Sequence, residues 1–292
     1  MSFLLYLWIF AHVLTGLIVS LITLPPLKQM LKEAGAVKSN FRQREVVNMA
    51  GSLIVVTWVL LVAVAGILPL LVDKLGIYMP ESFVLNPDVS VPLTLIIMGA
   101  GFFGLIDDLL GNRDHSGFRG HIGAILRGKL TTGSLKAIGI PIVAILSFSL
   151  ISSSILEIFG DALLVALFVN TLNLLDLRPG RALKVYIPLQ LMFIVVSAGT
   201  LGPSSAVLIG VAVVLLIPDL REEIMLGDIG SNILGGILGF CFAYAFDWNV
   251  KLPVVGLLVL LQLLTERYSI SGIVERVTPL RALDNLGRRL ED

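Results

Sequence analysis

The sequence predicts an all-α, polytopic transmembrane helix bundle, and three observations support this fold class. Of its 292 residues, 56% are hydrophobic and only 14% are charged, whereas a soluble domain carries about 25% charged residues. The mean hydropathy is +0.95. The apolar residues form runs of the length that crosses a bilayer, and most charges lie in short segments between these runs. The chain is therefore predicted to fold within a membrane.

Nine apolar segments are candidate membrane spans. A helix needs about 20 apolar residues to cross the hydrocarbon region, and somewhat fewer when it is packed inside a bundle. Several of the nine segments are short, so tilt or partial burial is expected. In chain order they cover residues 3–24, 51–72, 91–106, 137–156, 161–175, 185–199, 204–217, 231–246 and 252–265.

Positive charges lie mainly on one side of the predicted bundle. Nineteen of the 21 Lys and Arg residues fall there, and only Lys74 and Lys251 fall on the other side. Because short cytoplasmic segments of membrane proteins are enriched in Lys and Arg, the N-terminus is predicted to lie outside and the C-terminus in the cytoplasm. Residues 1–266 are then a single bundle whose cytoplasmic loops converge on one face, and residues 267–292 are a cytoplasmic tail.

Other composition features exclude several classes of site and partner. The single cysteine, Cys241, lies in an apolar span, so an internal disulfide is excluded. The first span lacks a basic n-region and a small-residue cleavage site, so it is interpreted as a retained span and not as a signal peptide. Since the formal net charge is zero and the cations cluster at the membrane boundary, nucleic acid is not an expected partner.

The first candidate functional motif is an aspartate pair, Asp107-Asp108, which ends a glycine-rich apolar span. Two adjacent carboxylates repel each other unless a divalent cation or a basic group lies nearby, so the pair suggests a magnesium or phosphate site. An ordinary acidic helix end is the alternative.

The second motif combines two amides and a carboxylate. Asn170, Asn173 and Asp176 recur at intervals of three, which places them near one face of a helix. Such a set suits a nucleobase, a sugar or a metal-bound water, and the alternative is hydrogen bonding between helices. Arg178 and Arg181 follow and could hold a diphosphate, although the positive-inside bias alone would also place them there.

The third motif, at residues 225–236, places Asp228 between two glycines at the start of an apolar span that continues through Asn232. Glycines allow close backbone approach, and the free N–H groups of a starting helix favour an anion or orient the carboxylate toward a metal ion. A simple helix N-cap is the alternative. Lys129, in a basic segment after the aspartate pair, could contact a phosphate group.

Together these motifs resemble those of the polyprenyl-phosphate N-acetylhexosamine-1-phosphate transferases, the glycosyltransferase family 4 enzymes that include phospho-N-acetylmuramoyl-pentapeptide transferase. Residues 104–108 resemble the family's aspartate-pair motif, residues 170–176 its Asn-x-x-Asn-Leu-x-Asp motif, and residues 225–231 its Met-Gly-Asp-x-Gly-Ser motif. Residues 47–51 loosely resemble its glycine pair. The resemblance extends in order from about residue 23 to residue 240.

The resemblance implies that a polyprenyl phosphate attacks the β-phosphate of a UDP-sugar with Mg²⁺ as cofactor, releasing UMP, in cell-wall biogenesis at the cytoplasmic face of a bacterial plasma membrane. Asp107 and Asp108 would be catalytic, and Asp228 would bind the metal. The implied substrate-binding residues are Lys129, Asn170, Asn173, Asp176, Arg178, Arg181 and Asn232. The expected partners are the polyprenyl phosphate, the UDP-sugar and membrane lipids. Formation of a homodimer is an open alternative.

Two departures from the family pattern leave an alternative function open. After Asp176 the family continues Gly-Leu-Asp-Gly, whereas this chain has Leu-Arg-Pro-Gly and lacks the second carboxylate. Residues 266–292 contain neither the family's histidine cluster nor a final span, and they are predicted to include an amphipathic helix that covers the site. The alternative is a non-catalytic relative that binds lipid phosphate and acts as a scaffold or regulator of envelope assembly. A transporter is disfavoured, because the polar clusters lie at one edge of the bundle and not at its midplane.

Overall fold

The computed structural model describes residues 3–76, 85–111, 130–197 and 200–288. Within these ranges the chain forms nine helices of 16 residues or more, two short C-terminal helices and one two-stranded hairpin. The long helices are α1 Phe3–Glu33, α2 Ser52–Lys74, α3 Pro87–Leu110, α4 Thr132–Ser149, α5 Ile155–Leu175, α6 Arg181–Val196, α7 Gly202–Leu220, α8 Gly227–Ala245 and α9 Trp248–Thr265. The short elements are β1 Val37–Ser39, β2 Glu45–Val47, α10 Ile270–Arg276 and α11 Thr278–Asn285.

The prediction of an all-α membrane bundle is confirmed. Each predicted span overlaps one of the nine long helices, and seven helices in the described ranges are long and apolar enough to cross a membrane. The other two are α6, which has 16 residues, and α7, whose apolar segment Ser204–Leu220 is short.

Two predicted span ends differ from the structure by seven residues or more. The first span was predicted to end at residue 24, before Pro25-Pro26, but α1 continues through both prolines to Glu33. The fourth was predicted to run to residue 156, but α4 ends at Ser149 and α5 begins at Ile155. Ser154 caps α5, because its hydroxyl accepts a hydrogen bond from the N–H of Glu157.

Helix α8 is the centre of the bundle. Within its apolar window 83% of the residues are buried, and it packs against α3, α5 and α6. A Cβ atom on Gly235 would lie 2.4 Å from the Cα atom of Val169 in α5, so the two helices meet backbone to backbone. Small residues commonly allow such close helix packing in membranes.

Helices α1, α2 and α9 are the least buried of the candidate spans, with 17%, 22% and 11% of their apolar windows inside the bundle. Their exposed side chains include large apolar groups such as Ile22, Leu70 and Leu252. Because so much exposed apolar side-chain surface is unfavourable in water, these three helices are the ones best suited to face lipid.

Ion pairs identify which helix ends lie together. At one end, which we call the site end, Lys38 in β1 contacts Asp108 near the end of α3 (Nζ–Oδ1 3.0 Å). At the opposite end, Lys251 near the start of α9 contacts Asp161 in the second turn of α5 (Nζ–Oδ1 2.8 Å). The three sequence motifs all approach the site end.

Candidate active site

Asp108 is the most firmly held of the predicted carboxylates, with a side chain only 1% exposed. Its Oδ1 accepts hydrogen bonds from Asn48 Nδ2 (2.8 Å) and Lys38 Nζ (3.0 Å). Its Oδ2 accepts a bond from the backbone N–H of Ile229 in the first turn of α8 (3.0 Å). Both oxygens are therefore engaged, and Asp108 ties the end of α3 to the α1–α2 connection and to α8.

A second group joins four helices around Lys136, at the start of α4. Its Nζ lies 3.3 Å from Asp228 Oδ1 in α8 and 3.8 Å from Asp107 Oδ2 in α3. Asn173 in α5 completes the group: in the amide orientation that suits both neighbours, its oxygen accepts a bond from Lys136 (3.0 Å) and its nitrogen donates to Asp228 (2.9 Å). We call Asp107, Lys136, Asn173 and Asp228 the acid–lysine cluster.

Backbone contacts fix the position of Asp228. The N–H of Met225 donates to the carbonyl of Val47 in β2 (2.8 Å), and the N–H of Ala50 donates to the carbonyl of Met225 (3.1 Å). On the other side of α8, a Cβ atom on Gly104 would lie 2.5 Å from the carbonyl oxygen of Asp228. Only a glycine in α3 allows this approach, which explains why the glycine-rich span leads into the aspartate pair.

A small open pocket, which we call the side pocket, is lined by residues close in sequence to the acid–lysine cluster, since Asp176 follows Asn173 by three positions and Met225 precedes Asp228 by three. Its lining includes Asp176, Asp219, Arg178 and Phe41, and the Arg178 guanidinium lies 4.4 Å from the centre of the Phe41 ring. Burial, and then the negative charges of Asp219 and other nearby aspartates, raise the pKa of Asp176 well above its usual value. The pocket thus combines an aromatic face, hydrogen-bond acceptors and a cation.

Asn170 does not join the other residues of its motif. Its amide donates to Gln262 Oε1 in α9, and Gln262 also donates to Thr171 (3.1 Å). The expectation that Asn170, Asn173 and Asp176 share a face fails because three residues advance a helix by about 300°, so the direction drifts by about 60° at each step. For Asn170, the contacts correspond to the alternative of hydrogen bonding between helices.

The two predicted arginines have different surroundings. Arg178 lines the side pocket and lies 3.7 Å from Glu275 in α10. Arg181 is buried, and its guanidinium donates to Asp284 in α11 and to Ser271. In this conformation Arg181 binds the C-terminal segment, residues 270–288, and does not line the side pocket.

The last two predicted substrate-binding residues are Asn232 and Lys129. Asn232 is fully buried one turn after Asp228, and neither of its amide atoms has a hydrogen-bond partner among the described residues. Because a buried amide without partners is costly, this position suits a water molecule or a polar ligand group. Lys129 lies outside the described residues.

Several site residues were not singled out from the sequence. Lys136 and Lys38 were assigned only to the cytoplasmic positive charge, which any membrane protein would show. Asn48 belongs to the weakly matching segment 47–51, so the resemblance was its one signal. Asp219 lies outside all three motifs, and its separation from Asp176 by 43 positions hid their proximity.

The acid–lysine cluster suits Mg²⁺ through its type of donor atoms. Magnesium is usually bound by one or two carboxylates together with water and substrate phosphates, and not by a cage made of protein alone. Asp107 and Asp228 supply such oxygens, and their side chains are 19% and 29% exposed. Among the described residues, no group of three or more acidic, His or Cys side chains is arranged to hold a metal ion.

Comparison with known proteins adds no relative. No family model matches the chain, and no curated protein matches it. The functional interpretation therefore depends on the motifs and on the geometry of the site.

Proposed function

We propose that the protein is an integral membrane transferase that moves a sugar-1-phosphate from a UDP-sugar to a polyprenyl phosphate, with release of UMP, for cell-envelope glycan synthesis. The observation that carries the proposal is the acid–lysine cluster, in which two carboxylates, an ammonium and an amide from four helices meet. A cluster at the end of a membrane bundle can meet a lipid phosphate and a water-soluble nucleotide together.

Asp107 and Asp228 are the residues that would hold Mg²⁺. When bound, the ion would neutralise charge on the diphosphate of the donor. Lys136 lies between the two carboxylates and would contact phosphate oxygens in the same place. The site then provides positioning and charge neutralisation, which are the main requirements of phosphoryl transfer.

In the proposed reaction, an oxygen of the lipid phosphate forms a bond to the β-phosphorus of the UDP-sugar. The bond from that phosphorus to the bridging oxygen breaks, and UMP leaves with this oxygen. Asp107 would accept any proton on the attacking phosphate, because both oxygens of Asp108 are already occupied by protein donors. We assign Asp108 the role of holding the helix ends in place.

The side pocket is the proposed location of the uridine part of the donor. The Phe41 ring, one face of which is covered by the Arg178 guanidinium, would provide apolar contact for a base, while Asp176 and Asp219 can accept hydrogen bonds from N–H or hydroxyl groups. Arg178, above the Phe41 ring, would contact a phosphate group. This arrangement would place the diphosphate between the side pocket and the acid–lysine cluster.

The proposed topology has nine spans, with the N-terminus outside and the site end in the cytoplasm of a bacterial cell. The support comes from the charge distribution, since 19 of the 21 Lys and Arg residues fall in segments that the sequence assigns to the same side as the three motifs. UDP-sugars would reach the site from this side.

The second candidate function is a non-catalytic scaffold that binds lipid phosphate. It is favoured by the fact that the charges of the site are already paired within the protein, with Lys136 between two carboxylates and Arg181 bound to the C-terminal segment. Pairing of this kind also occurs in purely structural networks.

Membranes containing the protein should be incubated with polyprenyl phosphate, Mg²⁺ and a panel of radiolabelled UDP-sugars. A transferase forms lipid-linked sugar and releases UMP in equal amounts with at least one donor, and chelation of the metal abolishes both. If no donor yields either product while the protein still binds polyprenyl phosphate, the scaffold function replaces the transferase.

A further inference from the structure

The C-terminal segment, residues 270–288, is fixed to the start of α6 by a buried group of charges. Asp284 accepts hydrogen bonds from Arg181 Nε (2.7 Å) and Nη2 (3.0 Å). It also accepts bonds from Arg288 Nη1 (2.8 Å) and Nη2 (2.7 Å). The three side chains are at most 10% exposed. Such bidentate, charge-assisted bonds define both distance and orientation.

Further hydrogen bonds extend this attachment to the loop between α5 and α6, residues 176–180, and to the first turns of α6. Arg288 Nε donates to the carbonyl of Pro179 (2.9 Å). One turn into α6, Lys184 Nζ donates to the carbonyls of Leu283, Asp284 and Leu286. A cation at these C-terminal carbonyls stabilises the end of α11.

On its other side the same loop is held by α7. Gly180 has a left-handed backbone (φ +71°), and its N–H donates to Asp219 Oδ2 (2.7 Å). A Cβ atom at this position would lie 2.3 Å from a side-chain carbon of Leu220. The loop is therefore clamped between α7 and the C-terminal segment, and it carries Asp176 and Arg178 on the wall of the side pocket.

We propose that Asp284 is a positioning residue for this wall, which it holds in place through Arg181 and Arg288. The proposal rests on the proposed function only in naming the ligand, the UDP-sugar, whose binding depends on the wall. Asp284 is not among the residues that line the side pocket. A buried group of charges is costly to form, and its best supported use is to select one geometry.

The test compares full-length variants in the transfer assay. Asp284→Asn removes the charge, Asp284→Glu keeps it, and Arg281→Gln changes an exposed charge on the same helix as a matched control. For Asp284→Asn we expect the KM for the UDP-sugar to rise about tenfold, while kcat and the KM for polyprenyl phosphate change less than about twofold. Asp284→Glu should recover part of the loss, and Arg281→Gln should match the unmodified protein. If Asp284→Asn instead lowered kcat by a similar factor and left both KM values unchanged, the proposal would be overturned.

Hydrogen exchange supplies a second readout that does not require activity. In Asp284→Asn, peptides covering residues 176–184 should exchange faster, while those from α3 and α8 should not change. Unchanged exchange in the loop, or faster exchange throughout the bundle, would contradict a positioning role. If loop exchange rises but the unmodified protein transfers no sugar, the positioning role stands and the proposed function fails.

Discussion

At the scale of single residues, the main feature of the site is that its charges constrain one another. Asp107 and Asp228 lie close because Lys136 stands between them, and Asn173 bonds to both Lys136 and Asp228. Two carboxylates near one ammonium retain net negative charge, which attracts a divalent cation. Asp228 contacts both Lys136 and Asn173, and we expect it to matter most for metal binding.

Asp228→Asn should therefore abolish transfer without unfolding the bundle. The substitution keeps the size of the side chain but removes the charge, and a loss of several kcal/mol of charge stabilisation corresponds to a rate decrease of roughly a hundredfold or more. The measurement is the Mg²⁺-dependent rate of UMP release. Glu223→Gln is the control, since its exposed ion pair with Lys28 is worth about 0–1 kcal/mol. Near-normal Mg²⁺-dependent transfer by Asp228→Asn would refute the metal assignment.

At the scale of helices, the opposite end of the bundle contains a buried ion pair of its own. Lys251 donates to both oxygens of Asp161, at 2.8 and 3.0 Å, and each side chain is 8% exposed. The pair links α9, of whose apolar window only 11% is buried in the bundle, to α5. Without its partner, each of these two charges would be buried and unpaired.

Asp161→Asn should consequently destabilise the protein more than a double variant in which both Asp161 and Lys251 are replaced by neutral residues. Removing one partner leaves an uncompensated buried charge and costs about 3–5 kcal/mol, whereas replacing both partners with neutral groups often costs little. The measurement is the free energy of unfolding in detergent for Asp161→Asn, Lys251→Met and the double variant. A double variant destabilised by the sum of the two single effects would mean that Asp161 and Lys251 are not coupled, and it would refute this prediction.

The ion pairs that attach the C-terminal segment predict how the stability of the protein depends on pH. Although burial alone would raise the pKa of Asp284, the hydrogen bonds and charges of Arg181 and Arg288 lower it below its ordinary value. A carboxylate with a depressed pKa stabilises the fold above its unfolded pKa, about 3.9, and this contribution disappears as the pH falls through the folded pKa. The difference in thermal stability between the unmodified protein and Asp284→Asn should stay constant from pH 8 to pH 5 and should decline only as the pH falls below about 4. A difference that already declines between pH 7 and pH 5 would show that Asp284 is not held in this way.

For the whole molecule, the sequence predicted the fold class better than the site. Long apolar runs dictate membrane helices regardless of their partners, and each run overlaps one observed helix. The three motifs lie at helix ends on the same side of the bundle, and this placement brings together Asp107, Asp108, Asn173 and Asp228. The bond between Arg181 and Asp284 was not predictable, since 103 positions separate them and either charge had other candidate partners.

The orientation of the whole bundle gives the last prediction. If the positive-inside bias holds, a cysteine at Asn249, beside the start of α9, should react with an impermeant maleimide added to intact cells, and one at Lys32, in the last turn of α1, should react only after lysis. Both positions are exposed, and the native Cys241 is buried, so the unmodified protein should give no signal. The opposite labelling pattern would place the acid–lysine cluster outside the cell, away from cytoplasmic UDP-sugars, and the transferase proposal would then fail together with the topology.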